Sequence, residues 1–167
     1  MLRAFRADDF DDALALEHDA AAARWVPELP AADGAGLVAF YETCRRTGSL
    51  LHLVIADPVT DAYLGEMTLA LGEHRVGELG LGLVPAARGR GIATEALMTV
   101  TDWAFAELDL GRMQVFVAPE NAAAHRLAER AGFRSEGVLR GYWEDGDTRL
   151  DVIILARLQG DEVRRYA

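Results

Sequence analysis

The sequence predicts a single mixed α/β domain built around a largely antiparallel sheet. Three strand-length apolar runs follow one another closely in the middle of the chain, and short turn-forming connections join them as in an antiparallel meander. Segments with apolar residues at helical spacing stand on both sides of these runs. No linker, repeat or low-complexity tract divides the 167 residues, so we expect one domain over residues 1–167.

The first part of the chain predicts one strand and two helices. Met1–Arg6 has the pattern of a short strand, and Asp8 or Asp9 is placed to cap the helix that follows. The segment Trp25–Pro30 breaks that helix. Gly48 ends the second helix, whose apolar residues recur at helical spacing: Leu37, Val38, Phe40, Tyr41 and Cys44.

The rest of the chain predicts six further strands and two further helices, which gives seven strands and about four helices in all. The three strands of the meander are Leu50–Ala56, Tyr63–Leu71 and Val76–Val84. After them come the helix Gly91–Leu108, the strand Met113–Ala118, the helix Ala122–Ala131, which Gly132 ends, and two strands around the turn at Asp145 and Gly146.

Composition and charge exclude several functional classes. The net charge of −10 argues against a nucleic-acid binder. The apolar runs are too short to cross a bilayer and no signal-peptide pattern is present, so we expect no membrane association. The single cysteine, Cys44, cannot form an intramolecular disulfide and favours a cytoplasmic protein. His18, His52, His74 and His125 have no metal-ligand spacing, so no metal site is expected.

The segment Arg88–Gly91 has the features of an anion site. It joins a strand to a helix, where free backbone N–H groups and the helix dipole favour negative charge. Glycine lets the backbone approach an anion, and arginine adds charged donors. A P-loop is excluded because Gly-Lys-Ser/Thr is absent, and Thr94 occupies the position where a dinucleotide-binding loop needs glycine or alanine.

A third phosphate motif fits this turn. Arg88-x-x-Gly91-x-Ala93 resembles the coenzyme A pyrophosphate loop of the GNAT superfamily of acyl-CoA N-acyltransferases. Asn121 followed by Gly132-Phe133 is similar to the next conserved segment of that family. The segment Glu136–Arg140 and the chain's ending resemble the RimJ/RimL branch, whose members acylate protein N-terminal amines.

The resemblance implies a GNAT-like domain and an acyl-CoA co-substrate. In such enzymes the fourth and fifth strands splay apart and admit pantetheine, and an N–H near Leu83 or Val84 polarises the thioester carbonyl. Asn121 would hydrogen-bond the pantetheine arm or the adjacent strand, cap its own helix, or do both. The residues expected to bind the pyrophosphate are Arg88, Gly89, Arg90, Gly91, Ile92 and Ala93.

Two glutamates are candidate general bases. Glu78 occupies the strand position where many GNAT enzymes carry a carboxylate, and Glu66 lies on the preceding strand. Burial in an apolar strand would raise the pKa of either carboxyl group toward a useful range, whereas the alternative for each is a solvent-facing residue. No general acid is assigned, because Ala124 and Ala128 replace the serine and tyrosine of other GNAT branches and no motif selects Tyr142 or Ser135.

The sequence does not identify the acceptor amine. Trp25, Tyr41 and Trp143 are candidates for lining its pocket. Direct transfer in a ternary complex is preferred to a covalent intermediate on Cys44, which has no histidine at local spacing. An acetyl group and a protein or peptide N-terminal amine are expected first, a small-molecule amine second, and a non-catalytic acyl-CoA-binding module third. A homodimer is compatible with the sequence.

Overall fold

The computed structural model describes residues 1–19, 22 and 29–162. They form seven strands and four α-helices: β1 (Leu2–Arg3), α1 (Phe10–Glu17), α2 (Gly34–Thr47), β2 (Leu50–Ala56), β3 (Tyr63–Leu71), β4 (Val76–Leu83), α3 (Ile92–Glu107), β5 (Arg112–Val117), α4 (Ala122–Arg130), β6 (Arg134–Asp145) and β7 (Thr148–Leu158). One sheet contains all seven strands in the order β1-β2-β3-β4-β5-β7-β6. Among the ladders of the described residues, β4–β5 is parallel and the β1–β2, β2–β3, β5–β7 and β6–β7 pairs are antiparallel, which confirms the predicted mixed and mostly antiparallel sheet.

The start of the chain differs from the prediction. The first strand is limited to Leu2–Arg3, where it pairs with Val54 and Ile55 of β2. Asp9 precedes α1 but its side chain makes no cap hydrogen bond to that helix. Its carboxylate accepts instead from the Arg3 guanidinium at 2.7 Å, twice, and from the Arg6 N–H at 2.8 Å. Asp9 thus occupies the predicted N-cap position, but its side chain does not cap the helix, because Arg3 and the Arg6 N–H already bind its oxygens.

The structure divides into two compact units. The first comprises Met1–Leu71 and Gly80–Ala96, and so holds β1–β3, α1, α2 and the end of β4. Side chains of β3 alternate between buried and partly exposed along its length, the period expected of a strand with one covered face. A cluster of buried residues packs against α1 and α2, and its members include Phe5, Leu16, Leu37, Val54 and Tyr63.

The second unit comprises Gly72–Leu79 and Leu97–Ala167. Here β5 pairs with β7 along all of Arg112–Val117, whereas its parallel ladder with β4 contains the pairs from Val76–Arg112 to Glu78–Gln114. Buried residues of the core include Leu97, Val100, Met113, Val152 and Leu155. In the described part of the chain, no helix has both the length and the apolar character needed to span a membrane.

The backbones of β3 and β4 approach each other closely at Gly65. The Val84 N–H donates to the Leu64 carbonyl at 3.0 Å, beside this contact. A Cβ placed on Gly65 would overlap the Gly82 carbonyl oxygen and lie 2.8 Å from the Leu83 Cα, and Gly65 has φ +150°. Any larger residue would therefore meet fixed backbone atoms. Glycine at this position sets where the end of β4 lies in the first unit.

We predict that Gly65→Ala destabilises the protein by about 2–4 kcal/mol, because overpacking and a strained φ act together. Thermal unfolding followed by calorimetry measures the loss. Gly111→Ala is the matched control, since a Cβ there meets nothing within 4 Å. Equal unfolding temperatures for the two variants would show that the approach at Gly65 is not tight.

Candidate functional site

The turn before α3 has the backbone geometry predicted for an anion site. Gly89 and Gly91 have φ +72° and +80°, and a Cβ on either would meet nothing within 4 Å. Glycine is thus required here by backbone conformation rather than by lack of space. The helix begins at Ile92, and the N–H groups of a first helical turn have no acceptor within their own helix. These donors and the positive end of the helix dipole favour an anion.

The two arginines of the turn differ in their surroundings. The Arg88 guanidinium donates from Nη2 to Asp19 Oδ2 at 2.5 Å and from Nε to the Leu83 carbonyl at 2.9 Å. It therefore ties the turn to the end of β4 and to the residues after α1. Arg90 is exposed. The backbone N–H groups of Thr60 and Val59 lower the pKa of the Asp57 carboxyl, and the charge of Arg90 adds to this effect.

The end of β4 offers one of the two predicted thioester donors. The Val84 N–H is bonded to the Leu64 carbonyl at 3.0 Å. This leaves the N–H of Leu83 as the candidate donor. Leu83 is itself buried, at 8% exposure, and its carbonyl accepts from Arg88. The backbone of this residue is accordingly held on one side by the turn that follows it.

Asn121 caps α4, which was one of the two roles predicted for it. Its Oδ1 accepts from the Ala124 N–H at 3.0 Å. Neither Ala124 nor Ala128 carries a proton donor, and Ala128 is buried. The contact of Asn121 with pantetheine stays a prediction.

Glu78 lies in the second unit, on the paired part of β4. It stands opposite Gln114 of β5 and hydrogen-bonds that side chain. The residue is exposed overall, yet its carboxyl group is partly desolvated. Desolvation raises the pKa of Glu78 above its ordinary value, and the hydrogen bond from Gln114 offsets only part of that rise. The direction is the one predicted for a general base.

A chain of polar contacts orients Gln114 toward Glu78. Arg112 Nε donates to Gln114 Oε1 at 3.3 Å, and the Arg112 guanidinium also binds both Glu136 oxygens, at 2.9 and 2.6 Å. Because arginine has donors only, it fixes the amide oxygen of Gln114 on its own side and leaves the NH₂ group for the carboxylate. Sequence reasoning missed Arg112 and Gln114. The sequence feature that could have identified them is the alternation of polar Arg112 and Gln114 with the apolar residues of β5.

Glu66 lies in the first unit, and the solvent-facing interpretation of it was wrong. Its side chain is 12% exposed. Glu66 Oε2 accepts from His52 Nε2 at 3.2 Å and from the Tyr63 hydroxyl at 3.0 Å. Tyr41 of α2 stacks on His52, with ring centroids 3.8 Å apart and planes 11° apart. The partners His52 and Tyr63 could not be selected from the sequence, because each also suits an apolar core.

Two of the three aromatic candidates for the acceptor pocket lie within the described residues. Trp25 lies outside the described residues. Tyr41 belongs to the first unit, where burial raises the pKa of its phenol. Trp143 belongs to the second unit, where it pairs with Leu150 across the β6–β7 hairpin. Among the described residues, no group of three or more histidine, cysteine, aspartate or glutamate side chains is placed to hold a metal ion.

We predict that Gln114→Met raises the pKa of the Glu78 carboxyl further. The variant keeps the side-chain volume but removes the donor that stabilises the carboxylate. Titration of carbon-labelled glutamate by NMR between pH 4 and 9 measures the change. Glu136→Gln serves as the control, because it alters a partner of Arg112 while leaving Gln114 beside Glu78. If the titration midpoint of Glu78 is equal in wild type and Gln114→Met, Gln114 has no part in tuning it.

Comparison with known proteins agrees with this geometry. Residues 1–134 match the acetyltransferase (GNAT) domain. A probable N-acetyltransferase, YjcK of Bacillus subtilis, is 37% identical over 103 residues, which cover 56% of this chain and 57% of that protein. The matched stretch thus spans little more than half of the relative's length.

Two solved structures are similar over nearly the whole chain. Spermidine N-acetyltransferase from Vibrio cholerae, solved with CoA and spermine, has a TM-score of 0.81 at 25% identity and covers 96% of each chain. RimJ of Mycobacterium smegmatis, solved with CoA-disulfide, has a TM-score of 0.80 at 25% identity, covering 95% of this chain and 81% of that one. The domain match, the sheet order and the turn before α3 together show that the chain belongs to the GNAT acetyltransferase family.

Proposed function

We propose that this protein transfers an acetyl group from acetyl-CoA to a primary amine by direct attack in a ternary complex. The observation that carries the proposal is the glycine-containing turn at the start of α3, in a chain of the GNAT family. Acetyl-CoA would supply the acyl group already activated as a thioester. The remaining chemistry belongs to the residues of the chain.

The coenzyme's pyrophosphate would lie on the N–H groups of the turn and of the first turn of α3. Gly89 and Gly91 place these groups, and Arg90 is the exposed cation beside them. Arg88 would act in part by positioning the turn, because its guanidinium already donates to the Leu83 carbonyl and to the Asp19 carboxylate. The Leu83 N–H is the proposed donor to the thioester carbonyl oxygen, where negative charge develops.

Glu78 is the proposed general base. A nucleophilic amine must be neutral, and a carboxyl with a raised pKa is a better proton acceptor than an ordinary one. The C–N bond forms as the C–S bond breaks, and the amine proton passes to Glu78 directly or through one water. Because Ala124 and Ala128 cannot donate, the leaving thiolate takes its proton from water or departs unprotonated.

A peptide or protein N-terminal amine is the first acceptor that we propose. Its pKa of about 7.7–8, against about 10.4 for lysine, leaves far more of it neutral near pH 7. The similarity to RimJ supports this choice. A polyamine is the second candidate, because the spermidine acetyltransferase is equally similar and a net charge of −10 attracts cations.

Gly91→Val is expected to weaken coenzyme A binding at least about tenfold, since a β-branched residue is strained at φ +80° and would displace the N–H donors. Isothermal calorimetry with coenzyme A measures the affinity. Gly160→Val is the matched control, because Gly160 also has positive φ but lies after β7, outside the proposed site. Unchanged affinity in Gly91→Val would remove the turn from the proposed binding site.

The function is tested by the release of free coenzyme A from acetyl-CoA with three acceptors. These are a free-amine peptide without lysine, an N-terminally blocked peptide that contains lysine, and spermidine. We expect the first to be used best and the blocked peptide least. Glu78→Gln should lower kcat/KM by roughly 10²–10⁴-fold at neutral pH while coenzyme A still binds.

Glu73→Gln is the control variant, because it removes an equal charge from an exposed residue just before β4. Coenzyme A binding without turnover on any amine would favour a non-catalytic module. Normal turnover in Glu78→Gln would place the base elsewhere, and acetylation of the blocked peptide alone would reverse the order of acceptors.

A further inference from the structure

The carboxylate of Glu66 is held in one orientation by two donors. His52 Nε2 and the Tyr63 hydroxyl both bind Oε2. Within the described part of the chain, no donor is bonded to Oε1 of Glu66. The His52 side chain is only 1% exposed, and Tyr41 covers one face of its ring. Two buried partners therefore position Glu66 without using one of its two oxygens.

The two donors to Glu66 differ in kind. Burial raises the pKa of the Tyr63 phenol, so its hydroxyl stays protonated and donates as a neutral group. His52 Nδ1 is buried and has no hydrogen-bond partner. Nε2 is therefore the ring nitrogen through which His52 contacts Glu66. Both donors meet Glu66 on Oε2, and neither contacts Oε1.

The position of Glu66 in β3 links it to the proposed thioester site. Its neighbour Gly65 lies directly against the backbone of Gly82 and Leu83, all within the first unit. Successive Cα atoms are about 3.8 Å apart, so the Cα of Glu66 lies about that distance from the Cα of Gly65. Its side chain is 12% exposed, so the carboxylate is not fully enclosed by the first unit.

We propose that Glu66 is not a base but the residue that binds a second cationic nitrogen of the acceptor, beside the amine that is acetylated. This inference rests on the proposed function and names the acceptor class: amines with another positive charge nearby. Diamines and peptides with a basic residue next to the N-terminus share this chemistry. A carboxylate whose orientation is set before binding loses little side-chain freedom when it pairs with a cation.

The test uses substrate pairs of similar size in which one member lacks the second charge. One pair is 1,4-diaminobutane and n-pentylamine, and the other is a peptide beginning Ala-Lys and its twin beginning Ala-norleucine. For wild type we expect at least a tenfold preference in kcat/KM for the dicationic member of one or both pairs. Glu66→Gln should abolish the preference, mainly by raising KM, while rates on the uncharged twins stay within about threefold.

Tyr63→Phe removes one of the two donors and should reduce the preference without abolishing it. Glu42→Gln, on the exposed face of α2, controls for general loss of negative charge. The pair that shows the preference identifies whether diamines or basic peptides are the source of the cation. A preference that persists in Glu66→Gln, or an equal loss of rate on charged and uncharged twins, would overturn the proposal.

Failure of the proposed function can be distinguished from failure of this inference. If wild type acetylates no amine, calorimetric binding of 1,4-diaminobutane to wild type and to Glu66→Gln, each saturated with coenzyme A, still reports on the site. Binding at least about tenfold weaker in the variant supports a cation site at Glu66, and equal binding excludes it. Circular dichroism of each variant shows whether the fold is retained.

Discussion

The backbone contact at Gly65 is the constraint on which the first unit's part of the site depends. It lets β3 lie against Gly82 and Leu83 without a side chain between the strands. Leu83 then presents its carbonyl to Arg88, whose guanidinium also reaches Asp19. The strand end, the glycine-containing turn and the residues after α1 are thereby held by one short series of backbone and charged contacts.

The two glutamates show how similar sequence contexts lead to different chemistry. Both interrupt apolar strands, but their partners differ. Glu78 receives one hydrogen bond from a neutral amide, and desolvation dominates, so its pKa rises. Glu66 receives two hydrogen bonds on a single oxygen from His52 and Tyr63. These different surroundings are consistent with the two roles proposed above, a general base at Glu78 and a cation-binding residue at Glu66.

Preorganisation by groups that need not touch substrate is a common feature of both carboxylates. Arg112 orients the amide of Gln114, which in turn contacts Glu78. Tyr41 stacks on His52, which in turn contacts Glu66. In each case a packed or multiply bonded side chain limits the freedom of a partner that would otherwise adopt several rotamers. A side chain whose freedom is already lost in the folded protein loses less conformational entropy when a ligand binds.

The sequence by itself determined the order and type of the secondary-structure elements and the turn before α3. Apolar periodicity and the glycine at position 48 are local signals, and the turn requires positive φ at Gly89 and Gly91, which glycine adopts readily. The long strands, α2 and the seven-stranded mixed sheet were predicted correctly for these reasons. The GNAT motifs are also local, since most of their residues lie within one turn or one helix start.

Only the tertiary structure decided which partners the polar residues take. Asp8 or Asp9 was expected to cap α1; Asp9 occupies the N-cap position, but its carboxylate binds Arg3 instead of the helix N–H groups. The pairing of Glu66 with His52 joins residues 14 positions apart, and that of Arg88 with Asp19 joins residues 69 apart. Such contacts depend on strand register and helix packing, and a single sequence carries no local signal for them, because the same side chains could equally have faced water.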